Sequence, residues 1–218
     1  VEGPNGGDIA RNNSPYFGPD GFHFDRMEKG DVSITILARA RNKKSVTLNL
    51  KHAAGREAFQ RLVRTADVVL NNLRGDPPEK LGLDYATLGP VNPRVLCAHL
   101  LAYGRDNERK GWPGYDYLMQ AEAGYLHLSG EPGSPPARMG LSIVDYMTGI
   151  TTAVAILSSL FGVLKGGRGH DIDVSLFDVA LHQLTYPGAW YLNSGYRTER
   201  LPRSAHPSTV PVQLQRTA

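Results

Sequence analysis

Residues 67–72 read Asp67-Val68-Val69-Leu70-Asn71-Asn72, a short run in which adjacent apolar residues end on a pair of asparagines. A strand with one face in water alternates polar and apolar side chains, so an unbroken run of this length predicts a strand buried on both faces. The flanks agree. Upstream, Lys51 to Ala66 places Ala54, Ala58, Phe59, Leu62, Val63 and Ala66 on one helical face, after an alternating Ser45 to Leu50 that predicts another strand. Downstream, Pro77 and Pro78 suit the first turn of a helix reaching to about Leu88. Asn92-Pro93 then breaks the chain, and Arg94 to Ala102 predicts a further strand. Strands alternating with helices predict an α/β fold with a doubly wound, Rossmann-like parallel sheet. Ligands on such sheets collect at the carboxyl ends of the strands, which makes Asn71, Asn72 and Tyr103-Gly104 candidates by position.

Further out, residues 3–31 are rich in Gly, Pro, Asn and Asp and read as an ordered loop. Tyr115 to Leu128 reads as helix, Gly130 to Pro136 as a turn-rich loop, and about Asp145 to Lys165 as a long apolar helix. Lys165-Gly166-Gly167-Arg168-Gly169 then turns into a strand over Asp171 to Val174, and Leu176 to about Leu192 returns to helix. The longest apolar stretch, Thr148 to Leu164, is interrupted by Thr151, Thr152, Ser158 and Ser159, so it reads as a buried helix and not a membrane span.

The chain has 218 residues, 41% of them hydrophobic, enough for one substantial core. Lys and Arg number 24 against 21 Asp and Glu, and the net charge of +3 gives no argument for nucleic acid. The single cysteine, Cys97, lies in Val95-Leu96-Cys97-Ala98, which predicts a buried thiol, no disulfide and a cytoplasmic location.

Neither GxGxxG nor GxxxxGK[ST] occurs, GxSxG is absent, and the seven histidines form neither HExxH nor a ligand cluster. No metal site is expected. What stands out is Asp145, an acid in Leu141-Ser142-Ile143-Val144-Asp145-Tyr146-Met147-Thr148-Gly149 at the start of the long apolar helix. The plainer reading makes Asp145 the N-cap of that helix. The sharper reading, compatible with it, is a nucleophilic carboxylate held by a helix N-terminus beside apolar walls.

Several ordered segments together resemble the class III CoA-transferases, the family of formyl-CoA transferase and carnitine CoA-transferase. They begin with Asn42-Lys43-Lys44-Ser45-Val46-Thr47-Leu48-Asn49-Leu50-Lys51, Ala66-Asp67-Val68-Val69-Leu70-Asn71-Asn72 and Glu79-Lys80-Leu81-Gly82-Leu83. Next come Asn92-Pro93-Arg94, Gly114-Tyr115-Asp116-Tyr117-Leu118-Met119-Gln120-Ala121 and Asp145 with Thr148-Gly149. Gly167-Arg168-Gly169 before Asp173-Val174-Ser175-Leu176, and Ala205-His206-Pro207-Ser208, complete the set. The resemblance runs over nearly the whole chain. It implies the family's large domain over residues 1–204, with 205–218 beginning the connection to a smaller domain. It also implies a chain truncated at both ends, lacking the first strand and helix, and a homodimer of interlocked subunits when full length.

By the same resemblance Asp145 is the catalytic nucleophile. Leu48, Lys51, Asn72, Leu73, Lys80, Leu81, Tyr115 and Asp116 are the coenzyme A contacts. Each has an ordinary alternative: Leu48 and Leu81 as core, Lys51 and Lys80 as solvated charges, Asn72 as a strand-end cap, Tyr115 as a packed aromatic. Lys80 stands where arginine is frequent in the family, which keeps the charge but loses bidentate phosphate geometry. Asn71 stands where glutamate is common.

The implied reaction carries CoA from an acyl-CoA to a carboxylic acid through aspartyl anhydride and aspartyl-CoA thioester intermediates, with no cofactor beyond the substrate CoA. A rival on the same fold is α-methylacyl-CoA racemisation. That subfamily has Gly-His-Asp where this chain has Gly114-Tyr115-Asp116, and a tyrosine is a poor base near neutral pH. A third reading is an inactive CoA-binding fragment.

Overall fold

The computed structural model describes residues 1–25, 27–73 and 77–215. The chain divides into two compact units, Val1–Thr65 and Ala66–Ala218.

In the first unit, Asp8 caps a short 3-10 turn over Ile9–Asn12, its Oδ1 accepting from the Ala10 amide at 2.7 Å. Strands β1 (Tyr16–Gly18), β2 (Gly21–His23) and β3 (Val32–Ser33) form an antiparallel sheet in the order β2-β1-β3. The stretch expected to be loop therefore carries a hairpin. Pro19-Asp20 make its turn, and Gly21 closes it at a φ of +98°, where a side chain is disfavoured. Helix α1 (Ile34–Arg39) and helix α2 (Ala53–Val63) follow.

The expected strand at Ser45–Leu50 does not form. Among the described residues its one β-bridge is to Glu2, which donates to the Val46 carbonyl and accepts from the Leu48 amide. An alternating pattern gives a strand only where a neighbouring strand supplies a ladder. The Glu2 carboxylate accepts from Arg11, Ser45 and the Asp8 amide, and these bonds, Arg11 foremost, hold it far below the usual carboxylate range.

The second unit holds the parallel sheet. Strands β4 (Val68–Asn71), β5 (Leu96–Leu101) and β6 (Asp171–Ser175) lie in the order β4-β5-β6. Asn71, His99 and Asp173 stand side by side across it. Between β4 and β5 run α3 (Pro77–Lys80) and α4 (Tyr85–Leu88). The single helix expected there is split by Gly82, whose φ is +68°. Between β5 and β6 come α5 (Asp116–Glu122), α6 (Tyr125–Leu128) and α7 (Ile143–Leu164). Gly124, at a φ of +88°, divides α5 from α6 where one helix was expected. After β6, the expected helix is two, α8 (Leu176–Gln183) and α9 (Thr185–Ser194). A 3-10 turn follows at Pro202–Ser204. Residues 216–218, part of the expected connection, lie outside the described residues.

Helix α7 packs one face on the sheet. Leu96, Ala98, Ile172, Val174 and Val179 are buried with Val163, against Met147, Ala155, Ile156 and Leu160. Thr148 and Thr152 satisfy their buried hydroxyls by donating to the carbonyls four residues back, at 2.7 Å each. The opposite face recurs at helical spacing as Tyr146, Ile150, Val154, Leu157, Phe161 and Leu164, all exposed. By length and composition alone the helix could also cross a membrane.

Candidate active site

The first turn of α7 leaves amides without intrahelical acceptors. Ser142 holds the N-cap position without a side-chain cap bond, and Asp145 is the third helical residue, so the reading of Asp145 as N-cap is corrected. The missing acceptor comes from α5. Asp116 Oδ2 accepts from the Val144 amide at 2.7 Å and from the Asp145 amide at 3.3 Å, while Oδ1 accepts from Gln120 Nε2 at 2.5 Å. Asp116 is 4% exposed. Asp145, relieved of the capping role, is exposed at the same helix end. Two carboxylates thus share one helix terminus with distinct placements, one inward to the backbone and one outward to solvent.

Gln120 is fully buried and completes the cap, with Oε1 accepting from the Met139 amide at 2.9 Å. Its spacing from Asp116, one helical turn, was visible in the sequence, but its partners are distant and were not. Asp116 was expected to face coenzyme A. Its two oxygens accept from Gln120 and the α7 amides, so it sets the position of α7.

Tyr115 precedes α5 and is 60% exposed, with its ring stacked on Tyr117 at a centroid distance of 6.0 Å and 5° between planes. Gly114 has a steric cause. A Cβ built there would lie 2.3 Å from Ala102 Cβ, so only glycine lets the α5 entry pass the end of β5.

Leu48 is half-buried and Lys51 exposed, both before α2 in the first unit. In the second unit, Asn72 is exposed and Leu73 half-buried just past the end of β4, and Lys80 is exposed beside half-buried Leu81 at the end of α3.

The polar face of the sheet was missed. His99 is fully buried in β5, with Nδ1 3.0 Å from Asn71 Nδ2 and Nε2 3.0 Å from Asp171 Oδ1. Asp171 Oδ1 also accepts from the Tyr85 amide at 2.9 Å. Arg105 bonds Asp173 at 2.8 Å and lies 3.6 Å from Asp171. Burial disfavours the Arg105 charge, yet these two carboxylates outweigh it and its pKa is raised. One polar letter within Leu96-Cys97-Ala98-His99-Leu100-Leu101 was the available signal. Among the described residues no cluster of His, Cys, Asp and Glu is arranged to hold a metal ion.

The model of CoA-transferase family III matches residues 1–218. The chain belongs to that family. An acyl-CoA transferase of Fusarium pseudograminearum is 41% identical over 86% of this chain and 41% of its own length. A succinate–glutarate CoA-transferase of Agrobacterium fabrum is 34% identical over 100% of this chain and 53% of its own. Among solved structures, a CaiB/BaiF family protein from Brucella suis superposes with a TM-score of 0.82 at 33% identity, over 98% of this chain and 54% of that one. This family III chain spans about half the length of the curated relatives it matches.

Proposed function

We propose that the full-length protein transfers coenzyme A from an acyl-CoA to a carboxylic acid, with Asp145 as the covalent nucleophile. The supporting observation is that Asp145 stands exposed in the first turn of α7, whose Val144 and Asp145 amides are capped by Asp116 from another helix. Asp145 attacks the thioester carbonyl and the carbon–sulfur bond breaks, giving a mixed anhydride and CoA thiolate. The thiolate attacks the aspartyl carbonyl, which forms the aspartyl-CoA thioester and releases the donor carboxylate. The acceptor carboxylate then attacks this thioester and expels the thiolate. Attack of the thiolate on the acceptor carbonyl of the new anhydride frees acyl-CoA and Asp145. No net proton is consumed.

Leu48, Lys51, Asn72, Leu73, Lys80, Leu81 and Tyr115 are proposed to hold CoA, with lysine charges for phosphates and the exposed Tyr115 ring and the leucines for apolar parts. Asp116 is assigned to hold Asp145. The name of the Agrobacterium relative makes a short dicarboxylic acid the first acceptor to try. In keeping with the family, the working form is proposed to be a homodimer, acting without metal, nucleic acid or membrane. Acyl-CoA donor plus hydroxylamine should leave a hydroxamate on the peptide containing Asp145. A label on the peptide of Asp116 or Asp173 instead would overturn the assignment.

A further inference from the structure

A histidine with no exposure in the central strand of a sheet must satisfy both ring nitrogens or cost stability. His99 does so with side chains from both neighbouring strands. The direction of these bonds follows from Asn71, whose Oδ1 accepts from the Leu73 amide at 3.3 Å. That fixes the amide orientation, so Nδ2 donates to His99 Nδ1 and the ring proton sits on Nε2, directed to Asp171.

The Asp171 side is the anchored one, because Asp171 also receives the Tyr85 amide and lies beside Arg105, which Asp173 holds in turn. On the other side, Asn71 is the last residue of β4, and the chain beyond it carries exposed Asn72 and half-buried Leu73. An aspartate or glutamate at 71 could not donate to Nδ1.

We propose that His99 is a positioning residue for coenzyme A: it grips Asn71 from the Asp171 anchor, and Asn71 holds the turn that presents Asn72 and Leu73. The proposal rests on the reading of Asn72 and Leu73 as CoA contacts.

Two substitutions separate the halves of the ring. A His99→Asn amide places its oxygen near Nδ1 and keeps the acceptor for Asn71, whereas a His99→Gln amide reaches the Nε2 position and keeps only the donor to Asp171. The probe is coenzyme A, titrated calorimetrically into the full-length protein, with KM for acyl-CoA and for the acceptor acid measured in parallel. His99→Gln should weaken CoA binding and raise the acyl-CoA KM by about tenfold, which is about 1.4 kcal/mol, with the acceptor KM little changed. His99→Asn should restore most of the affinity. Asn71→Ala, which leaves the buried ring in place, should match His99→Gln. If His99→Gln or folded Asn71→Ala binds CoA as tightly as the unaltered protein, or if acceptor KM rises in step, the positioning role is refuted. Failure of the unaltered protein to bind CoA would instead overturn the functional reading beneath it.

Discussion

The backbone amide of Asp145 donates to Asp116 Oδ2 at 3.3 Å, so the proposed nucleophile is held through its main chain by an acid on another helix. This division separates the folding role of the helix terminus from the chemical one, and substitutions at the two acids should differ in kind.

Asp145→Asn removes the proposed nucleophile from an exposed position outside the N-cap, which Ser142 holds. Turnover should fall by about a thousandfold or more, as when a covalent route is lost, while the melting temperature stays within a degree or two of the unaltered protein. Steady-state kinetics with thermal unfolding checks both, and near-normal turnover would rule out Asp145.

Asp116→Asn leaves one amide oxygen facing two backbone donors and sets an NH2 group near Gln120. A buried network broken this way should cost roughly 1–3 kcal/mol, read by denaturant unfolding. Turnover should fall as well, through loss of the α7 placement. Unchanged stability would remove Asp116 from its structural role.

Residue 115 is a tyrosine, where a racemase of this fold would use a histidine as base. Full-length protein incubated with chiral 2-methylacyl-CoA in deuterated water should therefore incorporate no α-deuterium when the acceptor acid is withheld. Rapid incorporation detected by mass spectrometry would favour the racemase and sink the transferase.

The buried Cys97 thiol is pushed up to about 12 by burial first, with Asp171 and Asp84 adding to it. An unfolded chain ionises this thiol near 9.0 while the folded one keeps its proton. Its contribution is thus complete below pH 9.0 and is lost as pH rises toward about 12. Over that window the stability difference between the unaltered protein and Cys97→Ala should shrink, as alkaline denaturant titrations would show. A constant difference would contradict the raised thiol.

The outer face of α7 carries Tyr146, Ile150, Val154, Leu157, Phe161 and Leu164 in the open. The 218-residue chain on its own should bind a hydrophobic dye strongly, and Ile150→Glu with Leu157→Glu should reduce the signal severalfold without unfolding it. Equal dye binding by the double variant would show that this face is not the exposed apolar surface.

Strands β5 and β6 were legible because their patterns reflect burial, which acts on each residue locally. Strand β4 and helix α7 were placed correctly, but the burial expected of them is corrected: β4 is an edge strand among the described residues with Leu70 58% exposed, and α7 buries only the face that meets the sheet. The same reasoning misplaced the cap at Asp145, because the group that caps α7 stands on α5 and no local pattern records it. Ser45–Leu50 looked like a strand for the complementary reason: alternation expresses a propensity, and the ladder needs a partner that the segment does not report. His99 was visible only as a polar letter in an apolar run, and its meaning lies in Asn71 and Asp171, which the fold brings to it.

The close passage of Gly114 over Ala102 has a mechanical consequence. Strand β5 locates Ala102, Ala102 locates the start of α5, and Asp116 on α5 locates the backbone of Asp145. The carboxylate proposed as nucleophile therefore sits at the end of a serial linkage rooted in the sheet, and its positional tolerance accumulates from joint to joint. Asp116 Oδ2 makes the last joint at two adjacent amides, 2.7 Å from that of Val144 and 3.3 Å from that of Asp145. Adding a methyl at Gly114 would displace the first joint, and every downstream part would inherit the error, although residue 114 need never meet a substrate.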